Sequence, residues 1–262
     1  MSRNFELLQR VEEERRSAAG DGHNRLWERS DAPIATAPAS AGETPLGVCQ
    51  PLRELSNAAQ QQLLTFVTRL FLLPTSPAPP VVLFCGIEQN NSSRIAACIG
   101  CLAASQLSGP VCLIDAHLHH PELHEHFGLP NHDGLSEALQ AQAGEEPRAH
   151  RVAHDLWLVT AGAPVESPEA LLHGPQLRRC LVALRGRFRH LLIDAPAIHT
   201  CGDSLYFAQL ASGAVLVLEA RSTKREVAHA HKQAFEKAGI PVVGAILNHR
   251  TFPIPDAVYA RL

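Results

Sequence analysis

The residues with the most distinctive spacing form a short turn between an apolar run and a helical pattern. Residues 86–93 read Gly-Ile-Glu-Gln-Asn-Asn-Ser-Ser. Compared with the phosphate-binding pattern G-x-x-x-x-G-K-[ST], the turn keeps the first glycine and the final hydroxyl but replaces the second glycine and the lysine. Amides at the start of the next helix would still attract an anion. The candidate nucleotide-binding residues are Gly86, Asn90, Asn91, Ser92, Ser93 and Arg94.

The missing lysine weakens this site for phosphoryl transfer. Ser92 stands at the lysine position and has no positive charge to offer the outer phosphates, whose charge must be neutralised during transfer. Asn91 tolerates the left-handed backbone that the second glycine would adopt. Arg94 could supply the charge instead. The alternative is an ordinary polar turn between a strand and a helix.

Two apolar runs end in an aspartate, Leu113-Ile114-Asp115 and Leu192-Ile193-Asp194. A carboxylate at the end of a buried strand is a common way to place a magnesium ligand or a water-orienting group beside a phosphate-binding loop. A single aspartate in such a place often only caps a helix. The two together, near the loop, make Asp115 and Asp194 candidate catalytic residues and, with Ser93, candidate Mg²⁺ ligands.

Apolar runs alternate with helical patterns along most of the chain. Strands are predicted at 81–85, 111–114, 157–159, 191–193, 214–218 and 242–247. Helices are predicted at 3–17, 52–73, 93–107, 175–187, 203–211 and 223–238. This alternation predicts an α/β fold of three layers, with a mostly parallel sheet and helices on both faces. Ligands in such folds bind at the carboxyl ends of the strands.

The composition predicts four segments: an N-terminal helix within 1–17, a flexible linker at 18–50, an α/β domain at 51–250 and a tail at 251–262. The formal net charge of -3 argues against a dedicated nucleic-acid binder. The start of the chain lacks a signal-peptide pattern, and the apolar stretch 63–73 is too short to span a bilayer. These features predict a cytoplasmic protein without direct membrane insertion.

Longer stretches resemble the bacterial tyrosine kinases of capsule and exopolysaccharide export, which are relatives of the MinD/ParA-type P-loop ATPases. Residues 111–139 resemble the family's segment LIDADLRRPxLHxxFGLPNxxGLSxxL. Residues 190–197, with Asp203 beyond them, resemble its YVIIDTPPxxxxxD. Residues 213–220 and 244–248 are similar to its DGVxLVVxA and GVVLN. The resemblance covers roughly residues 50–250.

The resemblance implies a P-loop NTPase-like domain with residues 86–93 as the P-loop. Asp115 would be the Walker A′ carboxylate, Asp194 the Walker B carboxylate, and Asn248 would lie near the adenine. The departures fall on residues that do chemistry in the family. Its loop glycine and lysine, the second aspartate of DAD and two arginines are replaced by Asn91, Ser92, His117, His119 and His120.

These departures indicate a degenerate kinase-like protein of exopolysaccharide or capsule biosynthesis that is regulatory, with weak or no ATP turnover. The expected partner is a membrane-bound polymerisation or export protein, which would recruit it to the inner face of the membrane, or an active kinase paralogue. A homo-oligomer is a further option. One alternative is an active tyrosine autokinase that uses Mg-ATP and has Tyr259, the only late tyrosine, as its acceptor. Another is a ParA/MinD-like ATPase.

Two other groups of side chains contain residue types that can bind metals or take part in redox chemistry. Six histidines lie between His117 and His132 and would suit Zn²⁺ binding or pH sensing. Their spacing matches no standard zinc pattern, so solvated loop residues are the favoured interpretation. Cys98 and Cys101, three positions apart on the predicted helix 93–107, are expected to pack against the sheet rather than to act in redox chemistry.

Overall fold

A seven-stranded sheet lies at the centre of the computed structural model, which describes residues 49–73, 78–87, 92–141, 146–197 and 203–249. The order of the strands is β3-β4-β2-β5-β1-β6-β7, and of these pairs only β3–β4 is antiparallel. The strands are β1 (Val81–Gly86), β2 (Val111–Asp115), β3 (His150–Ala153), β4 (Leu156–Val159), β5 (His190–Ala195), β6 (Gly213–Glu219) and β7 (Val242–Asn248).

The helices lie on both faces of this sheet. They are α1 (Gln50–Arg53), α2 (Asn57–Val67), α3 (Ser92–Gln106), α4 (Leu123–Phe127), α5 (Leu135–Gln140), α6 (Glu169–Leu172), α7 (Pro175–Arg187), α8 (Asp203–Gln209) and α9 (Arg225–Lys237). Apolar residues of α5 to α9 form one core with one face of the sheet, and those of α2 to α4 form a second core on the other. This arrangement confirms the predicted three-layer, mostly parallel α/β fold.

The burial of each strand follows from its place in the sheet. Every residue of β1, β2 and β5 is buried, because these central strands are covered by helices on both faces. The prediction of a fully buried strand at 242–247 was wrong in this respect. β7 lies at the edge of the sheet and alternates between half-buried and exposed residues, with Val243 39% and Leu247 51% exposed.

The prediction of one continuous helix at 52–73 was also wrong. The chain leaves the helical conformation at Ser56, which has an extended backbone and whose side chain accepts a hydrogen bond from the amide of Ala59. Ser56 therefore acts as the N-cap of a new helix, α2. That helix ends in a π-helical turn, Thr68–Leu72. The preceding helix, α1, begins at Gln50, one residue before the predicted start of the domain.

Several short elements between 116 and 173 were not predicted from the sequence. They are β3 and the helices α4, α5 and α6, each of four to six residues. Runs of this length are too short for a hydrophobic period to be recognised. The predicted helix 3–17, nearly all of the predicted linker and the tail 251–262 lie outside the described residues.

Candidate functional site

The carboxyl ends of β1, β2 and β5 bring the predicted site residues to one edge of the sheet. β5 lies between β1 and β2, and Asp115 of β2 is paired in register with Asp194 of β5. Both aspartates are fully buried. Gly86 is the last residue of β1, so the candidate phosphate loop leaves the sheet at the same edge. The parallel topology therefore assembles the constellation that the sequence predicted.

Asp115 organises the chain that follows β2. Its two oxygens accept hydrogen bonds from the backbone amides of His117, at 3.0 Å, and Leu123, at 3.1 Å. Burial raises the pKa of this carboxyl to about 7, and the nearby charge of Asp194 acts in the same direction, while His117 opposes both. Both carboxylate oxygens of Asp115 thus already accept a hydrogen bond. The bond from Leu123 connects the start of α4 to the end of β2.

Asp194 faces an imidazole. The Nε2 atom of His117 lies 3.5 Å from Oδ2 of Asp194, and neither carboxylate oxygen accepts a hydrogen bond from the described residues. Burial alone would lower the pKa of His117, but the carboxylates of Asp194 and Asp115 outweigh it and raise that pKa to about 9. His117 is therefore protonated at neutral pH and is the cation that compensates Asp194.

A second imidazole and carboxylate lie beside the first pair. The Nε2 atom of His119 is 3.6 Å from Oδ2 of Asp203, which begins α8 and is only 2% exposed. Asp203 was not among the site residues predicted from the sequence. The signal that could have identified it is its place in the stretch that resembles YVIIDTPPxxxxxD, together with the replacement of a family arginine by His119. The edge of the sheet thus holds three buried carboxylates and two imidazoles.

The candidate phosphate loop is described only at its two ends. Ser92 and Ser93, the first residues of α3, are buried at 3% and 1% exposure. Asn90 and Asn91 lie outside the described residues. The guanidinium of Arg94 is 3.0 Å from the carboxylate of Glu54. The positive charge proposed as a substitute for the lysine is therefore paired with an acidic side chain in this structure.

Asn248, which is predicted to lie near the adenine, is the last residue of the edge strand β7 and lies at the carboxyl edge of the sheet. Its side-chain oxygen accepts a hydrogen bond from the amide of His249, and its carbonyl oxygen accepts one from Ala220. The imidazole of His249 lies 2.6 Å from the carboxylate of Glu219. These contacts link the ends of β6 and β7. Tyr259, the predicted phosphate acceptor, lies outside the described residues.

The six histidines between 117 and 132 do not gather into one site. His117 and His119 turn toward buried carboxylates, whereas His132 is exposed and lies 3.2 Å from its neighbour Asp133. No group of three or more metal-ligating side chains occurs among the described residues. His117 has a side chain that is only 17% exposed, so the interpretation of all six as solvated loop residues was wrong for it.

In the part of the site that the structure describes, the two carboxylates do not fit a metal ion as they stand. The oxygen ligands that Mg²⁺ prefers are retained in Ser93, Asp115 and Asp194. However, both oxygens of Asp115 are hydrogen-bonded to backbone amides, and the protonated imidazole of His117 already lies at ion-pair distance from Asp194. A cation at Asp194 would have to displace or repel that imidazole.

Known bacterial proteins are similar to this chain in sequence. No protein-family model matches the chain. The chain is 29% identical over 138 residues to the putative tyrosine-protein kinase CapB of Staphylococcus aureus and 29% identical over 139 residues to tyrosine-protein kinase ptk of Acinetobacter johnsonii. The resemblance to bacterial tyrosine kinases is confirmed. The alignments cover 52% and 53% of this chain but only 60% and 19% of the two relatives.

Solved structures show the same fold. The kinase domain of the Escherichia coli tyrosine kinase ETK matches with a TM-score of 0.66 at 18% identity, covering 85% of this chain and 93% of that domain. The chimerical protein CapA2B2 matches with a TM-score of 0.68 at 20% identity, covering 78% and 91%. A plasmid partition protein from Borrelia burgdorferi matches less well, with a TM-score of 0.51 at 14% identity, covering 70% and 87%. The fold is thus P-loop NTPase-like.

Proposed function

We propose that this chain is a degenerate, regulatory relative of the bacterial tyrosine kinases of capsule or exopolysaccharide biosynthesis, without effective ATP turnover. The observation that carries the proposal is the contact between His117 and Asp194. At the edge of the sheet where the Walker B carboxylate would face a metal–nucleotide complex, it faces a protonated imidazole at 3.5 Å.

The charges around the loop support the same proposal. Phosphoryl transfer depends on cations that neutralise the phosphate oxygens as the transition state forms. The loop has Ser92 where such sites have a lysine, and the guanidinium of Arg94 is paired with Glu54. Asp194 has its counter-charge from within the chain. The three groups that would serve Mg-ATP are thus absent or engaged elsewhere.

We propose that the protein acts through a partner on the cytoplasmic side of the membrane. The partner that we propose is a membrane-bound polymerisation or export protein or an active kinase paralogue, and a homo-oligomer is compatible with either. Among the described residues, no helix is both long and apolar enough to cross a bilayer. A regulatory role would require only that the folded domain present its surface to that partner.

An active autokinase is the second candidate, and one observation favours it. Ser93, Asp115 and Asp194 all lie at the carboxyl edge of the sheet, as a magnesium site would require. A ParA/MinD-like ATPase is less favoured, because the ETK kinase domain matches the fold with a higher TM-score than the plasmid partition protein does. Both alternatives need a bound nucleotide, so nucleotide binding separates them from a pseudo-enzyme.

Calorimetric titration with Mg-ATP and Mg-ADP tests the proposal. We expect no binding heat from the natural chain at millimolar nucleotide. A triple variant that restores the family pattern, Asn91→Gly with Ser92→Lys and His117→Asp, should gain binding, which shows that the scaffold is competent. Asp194→Asn in that triple background is the matched control and should lose the gain.

Binding of Mg-ATP by the natural chain at micromolar concentration, lost in Asp194→Asn, would overturn the proposal. The next measurement would then be phosphotyrosine on Tyr259 after addition of Mg-ATP. Its appearance would support the autokinase. Nucleotide-dependent dimerisation without phosphotyrosine would support the ParA/MinD-like ATPase.

A further inference from the structure

A cleft of about 420 Å³ lies away from the candidate nucleotide site. It is bounded by the residue before α1, the C-terminal half of α3 and the turn between β3 and β4, and its lining includes Cys49, Cys101, Ser105 and His154. The helix α3 begins at Ser92 in the phosphate loop and runs away from it. Cys101 lies nine residues further along, which at 1.5 Å per residue is about 14 Å from the loop.

Two thiols meet at this cleft. Cys49 and Cys101 both line it, Cys101 at 3% exposure and Cys49 half-buried, and their side chains act on each other's pKa. Cys98, one turn earlier on α3, is turned to a different partner, because its thiol donates to the carbonyl oxygen of Pro51 at 3.4 Å. The Cys49–Cys101 contact is therefore selective within a group of three neighbouring cysteines.

The surroundings of the two sulfurs shift the pKa values of Cys49 and Cys101 in opposite directions. Hydrogen bonding with the side chain of Cys101 lowers the pKa of the Cys49 thiol, although burial opposes it. The same interaction, followed by burial, raises the pKa of Cys101 far above its ordinary range. Burial raises the pKa of Cys98 to about 12. Because the thiolate is the nucleophile in thiol chemistry, Cys49 is the reactive member and Cys98 is inert.

We propose that Cys49 and Cys101 form a redox-responsive dithiol, which a low-molecular-weight disulfide such as oxidised glutathione converts into an intramolecular disulfide. The proposal is independent of nucleotide binding. The sequence predicted only that Cys101 packs against the sheet. The proximity of Cys49 could not be predicted, because the two residues are far apart in the chain and come together only when α1 packs on α3.

The reaction proceeds in two exchange steps. The Cys49 thiolate attacks one sulfur of oxidised glutathione, which forms a mixed disulfide and releases one glutathione thiolate. The sulfur of Cys101 then attacks the sulfur of Cys49, and the departing glutathione thiolate takes the Cys101 proton, which releases the second glutathione as a thiol. Two protein thiols are oxidised and one small disulfide is reduced to two thiols, so no other oxidant is needed. Reduced glutathione in excess reverses both steps.

The disulfide would fix α1 to the third turn of α3. It would close a long loop of the chain that includes β1 and the candidate phosphate loop, and such a cross-link stabilises the folded state mainly by restricting the unfolded chain. We expect oxidation to raise the Tm of the protein by about 5–10 °C. Access from the solvent is provided by the open cleft and by the half-buried Cys49.

The test treats the full reduced chain with oxidised glutathione at neutral pH and maps the products by non-reducing digestion and mass spectrometry. We expect a disulfide between the peptides that contain Cys49 and Cys101. Cys101→Ser should stop the reaction at the first step and leave one glutathionyl group on Cys49. Cys49→Ser should abolish both products. Cys98→Ser, on the same helix and able to keep the hydrogen bond to Pro51, is the matched control and should form the disulfide normally.

A disulfide that disappears in Cys98→Ser but persists in Cys101→Ser would overturn the assignment of the partner. An unmodified Cys49 in the natural chain, under conditions that modify any other cysteine, would overturn the whole proposal. Because a buried serine in Cys101→Ser could prevent folding, the rate of alkylation at each cysteine of the natural chain is measured as well. That rate must be highest at Cys49 among the six cysteines of the described residues.

Discussion

Replacing His117 by asparagine removes the one cationic group that faces Asp194 among the described residues while keeping a side chain of similar size and polarity. In the natural chain the pKa of His117 rises from 6.5 to about 9 on folding, against the effect of burial, because the carboxylates of Asp194 and Asp115 favour the charged ring. A group whose pKa is raised in the folded state stabilises that state while it is protonated. We therefore expect His117→Asn to lower the free energy of unfolding in a pH-dependent way.

The magnitude follows from the two pKa values. The shift from 6.5 to about 9 corresponds to about 3 kcal/mol at 1.36 kcal/mol per pH unit. This contribution is complete below pH 6.5, declines between pH 6.5 and about 9, and is absent above that range. The pKa of Asp115 is raised too, and because His117 opposes that rise, His117→Asn should raise the pKa of Asp115 further.

The assay is urea-induced unfolding of both proteins, followed by circular dichroism, at a series of pH values from about 6 to 10. We expect a difference in the free energy of unfolding on the order of 3 kcal/mol near pH 6 and close to zero near pH 10. His120→Asn is the matched control, because His120 is an exposed histidine of the same segment. It should change the free energy by less than about 0.5 kcal/mol at every pH.

A difference that is the same at pH 6 and at pH 10 would refute this reasoning, because a loss of packing does not titrate. A difference below about 0.5 kcal/mol near pH 6 would refute it in another way. The ion pair between His117 and Asp194 would then contribute nothing measurable, and the proposal that the imidazole replaces a metal-bound nucleotide would lose its main support.

Four further substitutions test the fold. Gly134→Ala should cost about 3 kcal/mol or more, because a Cβ there would lie 2.4 Å from backbone atoms of the 160–162 turn, whereas Gly186→Ala, with nothing within 4 Å, should be neutral or stabilising. Phe235→Ala, at a fully buried position, should cost roughly 3–5 kcal/mol. Arg94→Gln should cost less than about 1 kcal/mol, because its partner Glu54 is exposed. Urea unfolding of each variant measures these changes.

The fold was predicted well where buried elements are long enough to show a continuous apolar run or a helical period in the sequence. Five of the six predicted strands are longer than four residues in the structure. Each of the predicted helices at 93–107, 175–187, 203–211 and 223–238 corresponds to a helix of the structure, and every end agrees within two residues. Continuous apolar runs and helical periods are features of the local sequence. They therefore predict strands and helices without knowledge of the tertiary contacts. The bounds of α7 were predicted without error.

The errors have physical causes that lie outside the local pattern. The break at Ser56 depends on a cap that competes with the helical period of the flanking residues. The exposed face of β7 depends on its place at the edge of the sheet, and strand order is not readable from one strand's sequence. The short helices between 116 and 173 are held by contacts such as the two hydrogen bonds that the carboxylate of Glu137 accepts from the amides of Gly134 and Ala163.

The candidate site was predicted in part for the same reason. The positions of Asp115 and Asp194 follow from the ends of two buried strands, which sequence patterns reveal. The pairing of His117 with Asp194 and of His119 with Asp203 does not, because it depends on the path of the chain after β2. Resemblance to the kinases marked these histidines as departures, but only the structure shows what they contact.

The substitutions in the loop and after β2 are energetically linked. A buried carboxylate that has lost its cation costs several kcal/mol unless another positive charge or a proton replaces it. If a chain lost the loop lysine, and with it the tight binding of a magnesium nucleotide, Asp194 would be left as such a carboxylate. An aspartate at 117 would add a further negative charge beside Asp115 and Asp194, whereas the histidine supplies the missing positive one. Ser92 and His117 therefore form a consistent pair, and restoring the lysine alone would leave Asp194 compensated by the imidazole.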